Sequence, residues 1–261
     1  MALFLANAGL GCLMRGKSLD ETLVLPLLER STRSEAEGGG AYYTCLMDSG
    51  LELVFRVQER EDGMEMMGLD THMGGRCVWT ASPVVSVGKP EYLGMQLLLA
   101  DPGQRNAFVM GFVRPALLRH LDTDSVLEIQ VSAFPTGMDV YDSRESFEAM
   151  IGEENRLLDR QILPYYYVMA REESTGKKMR EFSKRNEMIN LFCGPVLAME
   201  ERENGYLDTK LMVSTVATSM GHIDVVYARD QLSKPAEKGT YLMASAYFSG
   251  DVLSVRGKMV S

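Results

Sequence analysis

The chain has 261 residues, 46% of them hydrophobic, and carries 36 acidic against 27 basic side chains for a net charge of −9. That much apolar material fills one large core or two smaller ones, which argues against disorder and against dependence on metals or disulfides. The negative balance repels phosphate backbones and anionic membranes, so it disfavours nucleic acid as a partner, and no stretch reaches the ~18 apolar residues of a membrane span.

The only cations near the opening stretch Met1 to Met14, Arg15 and Lys17, follow the apolar run, whereas a secretory leader carries them before it. Cys12, Cys45, Cys77 and Cys193 are scattered singly, without a C-x-x-C pair, and are expected as reduced thiols in a cytoplasmic protein. Ser18-Leu19-Asp20-Glu21 fits a helix-capping box, yet Pro26 would kink that helix, and Thr22 to Leu25 suits a strand equally well. Gly38-Gly39-Gly40 marks a loop before the first clear strands.

From Leu51 the pattern sharpens. Leu51, Leu53, Phe55 and Val57 alternate with Glu52, Val54, Arg56 and Gln58, Asp62-Gly63 supplies a tight reversal, and Met64 to Leu69 returns as the second strand of a hairpin. Arg76–Ala81, Leu93–Leu99, Ala107–Val113 and Leu127–Ala133 are further predicted strands. Between Ser143 and Gln161 the period becomes helical, with Phe147, Met150, Ile151 and Leu158 on one face. Tyr165 to Met169 reads as a strand, and the charged stretch Arg171 to Glu187 marks a module boundary.

The last third repeats the β grammar: Val196–Glu203, an Asn204-Gly205 turn, Tyr206–Val216, His222–Ala228, Thr240–Phe248, a Ser249-Gly250-Asp251 turn and Val252–Arg256. Five short strands with a longer connection after the third resemble an oligonucleotide/oligosaccharide-binding (OB) barrel. The predicted architecture is therefore α+β and predominantly antiparallel: a β-rich module over residues 1–170, and a small OB-like barrel over 186–261, joined by the helix near 143–161. Thr71–Ala81 can also be laid on Thr218–Ala228, with Thr, Met, Gly, Val and Ala coinciding, which suggests an internal duplication.

Familiar catalytic signatures are missing: there is no G-x-S-x-G elbow, phosphate-binding loop, H-E-x-x-H pair or dinucleotide fingerprint. No catalytic residue, metal or cofactor is assigned, and Asp122-Thr123-Asp124 lacks the glycine and terminal glutamate of a calcium loop. Each of the three histidines has an aspartate two positions away, in Asp70/His72, His120/Asp122 and His222/Asp224. Such a pair can orient a base, but Ile223, Val225 and Tyr227 read as the buried face, which leaves His222 and Asp224 in solvent. Pairing Cys77 with His72 as thiol and base requires long-range geometry. Lys177, Lys178, Arg180, Lys184 and Arg185, with Phe182 among them, form the one concentrated basic run, a combination suited to single-stranded nucleic acid or to pairing with neighbouring glutamates. The 19 methionines, clustered at Met64, Met66, Met67 and Met73, read as core filling.

The expected function is a non-enzymatic binding or assembly protein acting on a protein partner through β-module surfaces, with self-association left open. The alternatives are a single-strand nucleic-acid binder using the barrel and the 177–185 run, and a hydrolase or transferase built on a His/Asp pair.

Overall fold

In the computed structural model, residues 10–15, 18–36, 40–61, 63–87, 95–103, 106–114, 118, 124–151, 161–164, 189–232 and 234–256 are described. Strands β1 (Met14–Arg15) and β2 (Ser18–Leu19) form a short antiparallel pair ahead of helix α1 (Glu21–Glu29). The cap of α1 is Asp20, not Ser18: its carboxylate accepts from the Thr22 amide at 3.0 Å, and the helix runs through Pro26 while burying Val24 and Leu27. Four antiparallel strands follow in sequential order: β3 (Thr32–Ala36), β4 (Gly40–Leu46), β5 (Leu51–Arg60) and β6 (Gly63–Met73). The predicted hairpin at Leu51–Leu69 is present, closed by pairing of Arg60 with Gly63.

The larger sheet comprises β7 (Val78–Val87), β8 (Met95–Ala100), β9 (Ala107–Phe112), β10 (Val126–Tyr141), β11 (Leu163–Pro164), β12 (Ile189–Asn204), β13 (Thr209–Thr218), β14 (Gly221–Ala228) and β15 (Tyr241–Arg256). Helix α2 (Arg144–Ile151) lies between β10 and β11; of the rest of the predicted 143–161 helix, Ser143 and Gln161 are not helical and 152–160 fall outside the described residues, as do the Tyr165–Met169 strand and the proposed boundary at 171–187. The pairings close into two circuits. One runs β12–β13–β14–β10–β15 and back to β12; the other runs β7–β8–β9–β15–β10 and back to β7.

The OB-like circuit expected in the last third is thus closed, but its strands differ from the expected five. Ser249-Gly250-Asp251 is no turn: β15 runs straight through it, and the fifth strand comes from β10, which pairs in parallel with β14 at Ser132–Ala133. Gly250 is there for close approach, since a Cβ would press into Met110 and Ile129. Both circuits own β10 and β15, so the polypeptide before residue 142 and the polypeptide after 188 are tied by strand pairing.

An approximate two-fold relates the circuits about the central pair Ser132↔Ser249. On β10 the extra, bulged residue is Thr136, four past Ser132; on β15 it is Leu253, four past Ser249. Trp79 on β7, opposite Ile129, donates its indole N–H to the His222 carbonyl on β14 at 2.8 Å. Asn190 on β12, opposite Ala246, donates to the Val109 carbonyl on β9 at 2.7 Å and accepts the Val109 amide at 2.8 Å. Ile129 and Ala246 each lie three residues before their central serine, so the two side chains stitch equivalent strand pairs, β7 to β14 and β12 to β9, at matching positions. These matching positions do not align Thr71–Ala81 with Thr218–Ala228: the first window crosses from β6 to β7, and the second from β13 to β14.

Alternation fills the circuits. Trp79 packs edge-on to Phe108 at 5.3 Å and to Phe248 at 5.6 Å, and Phe192 meets Phe248 at 5.5 Å, so one aromatic on a shared strand anchors both interiors. Each such ring contributes about 2–3 kcal/mol of burial. A second core joins the four-stranded sheet to the outside of the barrels: Leu51, Leu53, Phe55 and Leu69, with Val24 and Leu27 of α1, against Phe134, Leu211, Val213 and Val226. Among the described residues no helix is long and apolar enough to cross a membrane.

Candidate functional site

Residues that alternate with the barrel interior make up the outer face, and a polar row crosses it. Register places Ala198, Thr215, Asp224, Ser132 and Ser249 side by side on β12, β13, β14, β10 and β15. Thr215 Oγ1 donates to Asp224 Oδ1 at 2.7 Å. The end of β6 lies over the middle of this row: the Met73 amide donates to Ser132 Oγ at 3.2 Å, and His72 Nδ1 lies 3.3 Å from both Ser132 Oγ and Ser249 Oγ. His72 Nε2 stands 3.2 Å from Gln130 Oε1, and Gln130 Nε2 donates to the Gly75 carbonyl. Because Gln130 turns its oxygen to the ring, Nε2 carries the proton, and Nδ1 accepts from a serine hydroxyl.

An ionic seam borders the row. Arg114, just past β9, bonds Glu52 of β5 at 2.9 Å and Asp251 of β15, tying the four-stranded sheet to the barrels. Asp70 shares a face of β6 with His72 but pairs with Arg56 at 3.0 Å, and burial raises its carboxyl pKa despite that guanidinium. Burial, with Asp70 adding to it, also raises the Tyr247 phenol strongly. Tyr247 packs against Gly111, where a Cβ would fall on its hydroxyl.

At the far end of the row the outer face opens into a cleft of about 660 Å³ between the β12–β13 hairpin and Gly74–Cys77, with Thr215, His222 and Asp224 along it. Gly75 lies so close to the Asp224 carboxylate that a side chain there would displace it. Arg202, on the hairpin, bonds Glu200 and donates to the Ser49 carbonyl at 3.1 Å, fixing the hairpin against the four-stranded sheet. Burial first, then the charge of Asp224 and its hydrogen bond, pushes the Cys77 thiol up to about 12. A thiol that high is about 10⁻⁵ thiolate at neutral pH and is no nucleophile.

The histidine pairs come out differently from their sequence reading. Asp224 is buried, not solvated, because Gly74–Cys77 crosses outside β14 and covers the face that alternation assigns to water; His222 alone stays exposed. His72 is fully buried, and its partners are serines and a glutamine, not Asp70. Cys77 adjoins Asp224 and shares the cleft with His222; its hydrogen bonds do not involve His72. His120 and Asp122 lie outside the described residues, as do Lys177, Lys178, Arg180, Phe182, Lys184 and Arg185. Among the described residues no three His, Cys, Asp or Glu side chains are grouped to hold a metal. The serine row escaped sequence reading. Ser132 interrupts no alternation and Ser249 sits in a turn-like tripeptide, so only the register unites them.

Comparison of the chain with family models, with curated proteins and with solved structures finds no match.

Proposed function

We propose that the chain is a non-enzymatic binding or assembly protein whose β-modules engage a protein partner at the cleft. The observation that carries this is the edge of β12. From Ile189 to Pro195 that edge pairs with β15, but beyond Val196 no strand among the described residues continues the pairing, and Ala198, Glu200 and Arg202 of the same stretch line the cleft. An open strand edge beside a groove offers main-chain hydrogen bonds to an extended segment of another protein, with the groove taking alternate side chains. Glu200, Glu201 and Glu203 keep this edge from pairing indiscriminately.

The cleft's own chemistry supports binding over catalysis: Thr215 and Cys77 both hydrogen-bond Asp224, so hydroxyl, thiol and carboxylate satisfy one another. The four cysteines are free, in keeping with a reducing, cytoplasmic setting. The matched bulges and stitching side chains of the two circuits favour duplication of a four-strand unit, β7–β10 and β12–β15, with the long fourth strands exchanged.

A photoreactive residue at exposed Ala198 tests the reading in the native host. It should capture a single partner that the same group at exposed Glu35, on edge strand β3, does not; equal capture from both positions contradicts it. Capture of oligonucleotide instead, weakening with salt, favours a single-strand binder built on the barrels and the 177–185 run.

A further inference from the structure

His72 lies where the four-stranded sheet, the segment walling the cleft and both shared strands meet. We propose that His72 is a proton-operated latch: neutral, it clips the end of β6 onto Ser132 and Ser249, and protonated, it releases β6 and with it the Gly74–Cys77 wall of the cleft.

The geometry carries this. The ring is fully buried, and its direct partners, Gln130 Oε1 at Nε2 and the Ser132 and Ser249 hydroxyls at Nδ1, are all uncharged, so nothing bonded to the ring offsets the charge of an imidazolium. The charged and titratable groups around it are few. β5 presents Glu52 directly opposite, and farther along Arg56, which holds Asp70 of β6. The segment after β9 brings Arg114; β15 brings Asp251 and Tyr247, two positions either side of Ser249; β14 brings Asp224, beside Ser132. β10 offers only uncharged Gln130 and Ser132 at the ring.

Both carboxylates that would attract an imidazolium, Glu52 and Asp251, are held by Arg114. A second proton on His72 therefore forces a choice: the ring leaves the seam, or it takes a carboxylate from Arg114 and loosens the same seam. Either way the bond between sheet and barrel is weakened, and Met73, whose amide rests on Ser132, leads directly into Gly74–Cys77.

Burial depresses the His72 pKa below its ordinary 6.5, outweighing the raising influence of Gln130, Asp251 and Glu52, while Arg114 adds to the depression. The docked state binds its proton less readily than the open state. Docking is accordingly complete above about pH 6.5 and declines as pH falls toward the docked value, the open fraction rising by up to about tenfold per pH unit.

Hydrogen exchange of the full chain at pH 7.5 and 5.5, scaled for intrinsic rates, tests the latch without any partner. Amides of β5, β6 and residues 74–77 should lose protection at pH 5.5 while those of β8, β9, β13 and β14 keep theirs. His72→Gln, which preserves a donor and an acceptor but cannot charge, should abolish the difference. NMR of the imidazoles in the wild type provides an arm that needs no variant, and His72 should titrate below 6.5. Unchanged or uniformly lost protection, or titration at 6.5 or above, overturns the proposal; if His72→Gln does not fold, the wild-type measurements decide. The latch's bearing on partner capture rests on the binding reading above. Capture at Ala198 without a pH-dependent β6 refutes the latch alone, and a working latch without capture refutes the binding reading alone.

Discussion

Asp224 shows how much one side chain's setting decides. It accepts from Thr215, contacts Cys77 and lies against Gly75, so a single carboxylate adds to burial in keeping the thiol protonated and sits directly beneath the crossing segment. Asp224→Asn removes the charge that opposes thiolate formation. Alkylation of Cys77 near pH 8.5 should therefore rise several-fold over the wild type, measured by mass spectrometry against exposed Cys12 as the internal reference. In the wild type Cys12 should react and Cys77 should not. Equal Cys77 labelling in both proteins would show that burial alone sets its reactivity.

The alternation around Ile223, Val225 and Tyr227 was legible in the sequence and named the interior face of β14 correctly. What a one-strand pattern cannot report is whether the other face meets water or a second layer. That is why Asp224 read as a surface group and is in fact buried, and why nothing in the sequence announced the burial of His72.

Elements are held together by side chains reaching across strands that do not pair along their length. β9 and β12 lie end to end along β15, and Asn190 joins them through both backbone groups of Val109. Asn190→Ala strands a buried N–H and C=O and should cost about 3 kcal/mol, whereas Trp79→Phe, which frees one carbonyl and trims the ring, should cost about 1–2 kcal/mol. Gly111→Ala should rank with the first, since a new methyl falls on the Tyr247 hydroxyl and forces the ring to shift. Urea denaturation of the three variants checks the order; a wild-type midpoint for Asn190→Ala would contradict the stitching role.

Strand existence was readable at this scale because hairpins announce themselves locally: Leu51–Leu69 and the β13 and β14 strands appear as their spacing predicts. The path of β15 was not. Ser249-Gly250-Asp251 has turn composition, but each residue is used otherwise: the serine for His72, the glycine for close packing and the aspartate for Arg114. Helix or strand over Thr22–Leu25 was equally open, until Asp20 supplied the cap.

For the whole molecule, the consequence of two shared strands is that neither barrel is complete without polypeptide from the other half. Composition and patterning announced a β-rich chain with OB-like closure but placed all five strands in the last third, because pairing between residues some 90–130 apart leaves no mark in local periodicity. The cleft followed the same logic: its walls come from residues 74–77, 198–202 and 213–224, which only the closed circuit brings together. A fold organised this way makes β10 and β15 its axis, with the four-stranded sheet laid on the outer face where His72 and Arg114 clip it down.

Native-state hydrogen exchange across a denaturant series measures this sharing directly. If β10 and β15 belong to both circuits, the slowest amides of β8 and β9 and those of β13 and β14 must open in one event, with the same free energy and the same denaturant dependence. Two distinct free energies, one for each set of strands, would mean that the halves fold as separate bodies and would contradict the shared-strand barrel.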